Sequence, residues 1–240
     1  MTDIYLSDTE VALQDDAGAL WRDAAGSTPQ AIAALASRLE SMASRRVRVW
    51  LGAALCRPVC LAPLAGGLSR REGLHVMEQD AIARSGLVPP CRVSIDVADP
   101  AGDVLTVVVQ DDVLSAVDRA LASHGLRAIS IRPWWAQVLA EALRARPALR
   151  ALGVSEGTAM TILTGDGRQF SGAHAVCPLE SAEAGAAAFA RSLIAGMIPD
   201  AYALGVRLDW SLQNSDARRR AFPDADFAFG AWTVLEEGAS

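Results

Sequence analysis

Two stretches of this 240-residue chain read as β-hairpins, and each leads directly into a helical run. In the first, residues 91–97 and 104–109 are β-rich and flank Asp99-Pro100-Ala101-Gly102-Asp103, whose Asp, Pro and Gly favour a tight reversal. In the second, 158–163 and 169–176 flank Thr164-Gly165-Asp166-Gly167, which carries an Asp-Gly turn. Behind the first hairpin, Val113, Leu114, Val117, Ala120 and Leu121 recur at helical spacing after Asp111 or Asp112 as the cap. Behind the second, an Ala-rich helix spans residues 180–197. A hairpin with one apolar face needs a covering layer, and an amphipathic helix supplies one, so the chain is predicted to be an α/β protein with helices packed on mixed sheets.

The rest of the chain keeps this alternation. Ile4-Tyr5-Leu6, residues 10–14 and Ala19-Leu20-Trp21 alternate around an Asp-rich turn and one at Gly18, as a short β-meander does. From Thr28, with Pro29 at the first helical position, Ile32, Leu35, Leu39 and Met42 mark a helix facing a core. Val47, Val49 and Leu51 alternate with Arg46, Arg48 and Trp50 as a strand, and Pro58 makes the following apolar run, 55–61, an edge or bulged strand. Ser69 with Glu72 forms a capping box for a helix over 69–84. After a strand at 128–131, Pro133 opens a helix that ends before Pro147. Periodicity weakens over 148–155, which places the boundary between two lobes, 1–132 and 133–240, within residues 132–155. A strand at 203–208, a polar helix or turn at 215–221 and a closing strand at 227–235 complete the second lobe.

Composition narrows the chemistry. All 22 basic residues are arginine, so no Schiff-base lysine, lysine nucleophile or P-loop lysine exists here. A formal charge of −6 opposes non-specific nucleic-acid binding, which needs a basic surface. Cys56, Cys60, Cys91 and Cys177 lack zinc-site or disulfide-framework spacing and read as reduced core thiols. His75, His124 and His174 are scattered, and no Gly-x-Ser-x-Gly elbow is present. No basic region followed by an apolar run opens the chain, and no apolar stretch is long enough to span a bilayer, so a cytoplasmic location is expected.

Three stretches carry a family resemblance: 49–83, from Val-Trp-Leu-Gly-Ala-Ala-Leu-Cys to Glu78-Gln79-Asp80-Ala81-Ile82-Ala83; 105–135, with His124-Gly125-Leu126; and the hairpin at 157–177. Their order resembles the degenerate actin-like (ribonuclease H-like) fold of the pilus-assembly protein PilM and of the cytoplasmic domain of the type II secretion protein GspL. The resemblance implies two lobes of mixed β-sheet flanked by helices. It also implies a non-catalytic scaffold peripheral to the inner membrane, docking a PilN-like or GspM-like membrane partner, the assembly ATPase, or both. Self-association as a homodimer is compatible with it, and an actin-like nucleotide switch or small-molecule kinase relative is the alternative.

Active actin-like ATPases bring two β-hairpin turns to the phosphates, each with Asp, Gly and small residues, because backbone amides must approach the anion closely. Here the matching turns are Ser7-Asp8-Thr9-Glu10 and Glu156-Gly157-Thr158-Ala159, with Glu156 read as a loop residue. Asp8, Thr9, Gly157 and Thr158 are the candidate nucleotide contacts, but Glu10 adds negative charge where phosphate would sit and no Asp-Gly pair leads the second turn, so neither cofactor nor catalysis is expected. Partner contacts are expected at adjacent Trp134 and Trp135, which point about 100° apart on a helix and so should not both be buried, and at Arg70 and Arg71. Arg218-Arg219-Arg220 is a further basic cluster.

Overall fold

A computed structural model describes residues 2–15, 19–40, 45–63, 69–95, 103–209 and 231–234, with the side chains of 209 and 231–234 excepted. In chain order the strands and helices are β1 (Thr2–Leu6), β2 (Glu10–Gln14), β3 (Leu20–Ala24), α1 (Thr28–Leu39), β4 (Arg46–Leu51), β5 (Cys56–Leu61), α2 (Arg70–Ser85), β6 (Cys91–Ile95), β7 (Val104–Gln110) and α3 (Asp111–Ser123). There follow β8 (Arg127–Pro133), α4 (Trp134–Ala145), β9 (Ala151–Glu156), β10 (Ala159–Gly165), β11 (Phe170–Val176), α5 (Ala182–Ala195), β12 (Ala203–Asp209) and β13 (Ala231–Val234). The expected turn at 99–102, the Gly18 turn, the element at 215–221, the arginines 218–220 and the start of the closing strand lie outside the described residues.

The same scheme occurs twice. In the first sheet, ordered β3-β2-β1-β4-β8, three antiparallel strands lead through α1 to β4, which enters parallel to β1. In the second, ordered β11-β10-β9-β12-β13, three antiparallel strands lead through α5 to β12, which enters parallel to β9. A third sheet, β5-β7-β6, is inserted between β4 and α3. Pro58, which has no N–H to give, sits on β5 at the edge of that sheet, as its chemistry requires.

Helices cover the sheets through the predicted stripes. Ala31, Leu35 and Leu39 of α1 and Val113, Val117 and Leu121 of α3 pack with Ile4, Val11, Val47 and Val49 on one face of the first sheet. Ser69 and Glu72 form the capping box of α2. The cap of α3 differs from expectation. Its N-cap is Gln110, and Asp111 and Asp112 lie in the first helical turn, where their charge favours the positive end of the helix dipole. At α5 the Ser181 hydroxyl accepts from the Ala184 N–H, so Ser181→Ala is expected to cost about 1 kcal/mol, read as a lower urea midpoint with unchanged slope.

The second core lies between the two five-stranded sheets, with α4 in its middle. Trp134, Trp135, Val138 and Ala142 of α4 pack with Tyr5, Ala12 and Trp50 of the first sheet and with Leu152, Val154, Leu163 and Leu204 of the second. Trp134 and Trp135 are 2% and 1% exposed, so neither indole offers a surface to a partner. The expectation that one would remain outside fails because α4 has apolar layers on two sides, which bury side chains 100° apart alike.

A further correction concerns 148–155. From Ala151 this stretch is β9, which ends at Glu156 and whose six residues are all buried, between β10 and β12 at the centre of the second sheet. With both faces covered the strand has no polar side to alternate, so its period-two signal is absent.

Candidate functional site

The two expected phosphate turns meet at the ends of β1 and β9. Each tip is fixed locally. The Ser7 N–H donates to the Glu10 carbonyl at 2.8 Å, closing the β1–β2 turn, and Gly157, at φ +56°, takes the left-handed conformation that closes the β9–β10 turn. The tips then bond to one another. Thr158 Oγ1 donates to Asp8 Oδ2 at 2.6 Å, linking residues 150 positions apart. A Cβ built on Gly157 would stand 3.7 Å from Thr9 Oγ1, which places the fourth candidate at the same junction. All four sequence candidates, Asp8, Thr9, Gly157 and Thr158, are therefore brought together.

Behind this contact lies a buried acid absent from the candidate set. Glu156 is the last residue of β9, 1% exposed, and accepts from Tyr5 Oη at 3.1 Å through Oε2, a second bond between the lobes. Burial pushes its carboxyl up to about 8, against the opposing bonds from Tyr5 and the Ala53 N–H. Burial, followed by the charges of Glu156 and Glu10, drives the Tyr5 phenol well above its ordinary value. Gly52, just after β4, lets these groups close: a Cβ there would stand 2.8 Å from Tyr5 Oη and 3.0 Å from Ser7 Cβ. The sequence holds a signal for Glu156, since a short run ending at a glycine turn after Pro147 fits a buried central strand. Without the partner strands, that signal cannot be separated from a loop.

Glu10, the other acid of the turns, is held by Arg22 of β3. The tips thus carry Asp8 bonded to Thr158 and Glu10 paired with Arg22. Thr158→Val is expected to cost about 1–2 kcal/mol, because it removes a hydrogen bond to an acid and leaves the Asp8 oxygen unpaired. Urea unfolding checks the magnitude, and faster amide exchange at both tips checks the location.

Other sequence candidates lie elsewhere. Arg70 and Arg71 are exposed on the first turn of α2, a helix that packs on the inserted sheet β5-β7-β6. The four cysteines are free; burial raises the thiols of Cys56, Cys60 and Cys91, that of Cys60 to about 11, which suits packing and not nucleophilic attack. Among the described residues no group of His, Cys, Asp and Glu is arranged to hold a metal ion, and no helix is long and apolar enough to cross a membrane.

No protein-family model matches the sequence, and no curated protein matches it. Solved structures do. A Bacteroides thetaiotaomicron protein described as having an actin-like ATPase fold and unknown function superposes with a TM-score of 0.54 at 8% identity, over 83% of this chain and 77% of that one. A chain of the PilM–PilN type IV pilus biogenesis complex superposes with a TM-score of 0.51 at 15% identity, over 80% of this chain. The chain spans 65% of the length of that relative. The cytoplasmic domain of EpsL, an inner-membrane component of the type II secretion system of Vibrio cholerae, reaches only 0.46 at 13% identity, over 73% and 70% of the two chains. At these identities the likeness is one of fold: the chain has an actin-like ATPase fold, with mixed sheets flanked by helices.

Proposed function

We propose that this chain is a non-catalytic adaptor built on an actin-like fold, holding a segment of an inner-membrane partner or the ATPase in a pilus or secretion assembly. The observation that carries this reading is the 2.6 Å bond between Asp8 and Thr158, which joins the two turns between which the phosphates of a nucleotide would have to fit. Glu10, paired with Arg22 in the first of these turns, adds to it by placing a carboxylate where such a relative has a small residue. The fold shared with a chain of the PilM–PilN complex supports an assembly role.

A nucleotide-dependent switch or kinase relative is the second reading, and one observation favours it. Asp8 Oδ1 is buried with no hydrogen-bond partner, a carboxylate oxygen that an incoming group could satisfy if the tips parted. Calorimetric titration with magnesium ATP separates the two. The adaptor reading expects no saturable heat and no phosphate release. Micromolar binding that disappears in Asp8→Ala, with turnover, overturns it in favour of the switch.

A further inference from the structure

The edge of the first sheet carries an arginine cluster that no expectation from the sequence located. β8 is the last strand of that sheet, and its register on β4 slips once: Val47 lies beside Ala128, but Arg48 lies beside Ser130, so Ile129 is an extra residue on β8. Arg127 and Arg132 are five positions apart and would point to opposite faces of a regular strand. The extra residue brings them to one face. Ala128 and Ile131 pack with Val47 and Val49 into the core under α1 and α3, which leaves Arg127, Ser130 and Arg132 on the other face beside Arg46 and Arg48.

Arg46 and Arg127 are in register on adjacent strands, and Arg45, whose carbonyl accepts from the Arg127 N–H at 3.0 Å, flanks them. Arg48 is neutralised by Asp3, with bonds of 2.7 and 2.6 Å. Arg45, Arg127 and Arg132 are exposed and make no ion pair among the described residues. On a chain of net charge −6, this is a local basic strip and not a share of a basic surface.

The geometry points to the exposed margin of this face along β8, beside the core that Tyr5 and Trp50 form on it, as the docking site for an acidic segment of a partner protein. From Arg127 to Arg132 the strip runs about 15 Å along one strand, a line that matches the spacing of carboxylates on an extended chain better than a flat anionic bilayer. No strand among the described residues pairs with the outer edge of β8, so main-chain groups there can add to the charge contacts. The inference rests on the adaptor reading and names the chemistry of its partner.

The test uses the full chain and a fluorescent poly-glutamate peptide, followed by anisotropy at low and high salt. Expected is saturable binding that weakens with salt, falls at least about tenfold in the double variant Arg127→Glu/Arg132→Glu, and changes less than about twofold in Arg70→Glu/Arg71→Glu on α2. Absence of binding, or equal loss in both double variants, overturns the proposal. So does binding to phosphatidylserine vesicles that poly-glutamate does not displace, which would assign the strip to a membrane. Both double variants change exposed side chains, and circular dichroism with urea midpoints confirms that they fold. Magnesium ATP titrated into the same samples keeps the two ideas apart, because nucleotide turnover with intact poly-glutamate binding would defeat the adaptor reading alone.

Discussion

Replacing Glu156 with glutamine is expected to stabilise the protein, by almost nothing near pH 4 and by on the order of 3–5 kcal/mol at pH 8. Its carboxyl titrates at an ordinary 4.5 when unfolded and is raised to about 8 by burial in the folded chain. Between those values the folded state keeps a proton that the unfolded state has released. Stability therefore falls as pH rises through that window, by up to about 1.4 kcal/mol per pH unit, and levels off above it. Glutamine has no charge to form, and its carbonyl can still accept from Tyr5 Oη, so the variant loses this slope while keeping the bond between lobes. Urea midpoints across pH 4–9 test the claim: the two profiles should meet at the acidic end and diverge towards the alkaline end. Parallel profiles would show that Glu156 is not the buried acid described.

The second large effect is expected at Trp134. Its indole packs edge-on against Tyr5 at 6.2 Å and Trp50 at 5.9 Å between ring centroids, and it is 2% exposed in the core between the two sheets. Trp134→Ala removes this volume from a place where two sheets and a helix meet and cannot all collapse inward, so a loss of about 3–5 kcal/mol is expected. Because the cavity lies between the lobes, the loss should appear as an earlier urea transition by probes in both sheets. A change confined to one lobe would contradict the shared core. Trp134→Phe, which keeps an aromatic ring, should lose considerably less.

These two residues also separate what pattern can reveal from what contact decides. Helices α1, α2 and α5 were legible because each has one wet face, and a wet face imprints its period on the sequence; the hairpin β10–β11 was legible from its Asp166-Gly167 turn, although Ala159–Leu163 of β10 are all buried. The candidates Asp8, Thr9, Gly157 and Thr158 were legible as turn residues, for turns have strong local chemistry. β9 was not, since it is covered on both faces. Glu156 was misread with it, and the expectation that Trp134 and Trp135 would not both be buried failed because a single helix cannot report that it has neighbours on two sides.

What the sequence by itself determined was most of the elements and their order, the absence of lysine chemistry and the acids at both turns, all properties of local spacing and residue type. Tertiary structure alone decided that the tips touch through Asp8 and Thr158, that Glu156 is buried behind them, and that one extra residue at Ile129 gathers the arginines of β8 onto one face. The reason is physical: burial, pairing register and contact across 150 residues are set by which surfaces exclude water together, and no stretch of chain carries that information alone.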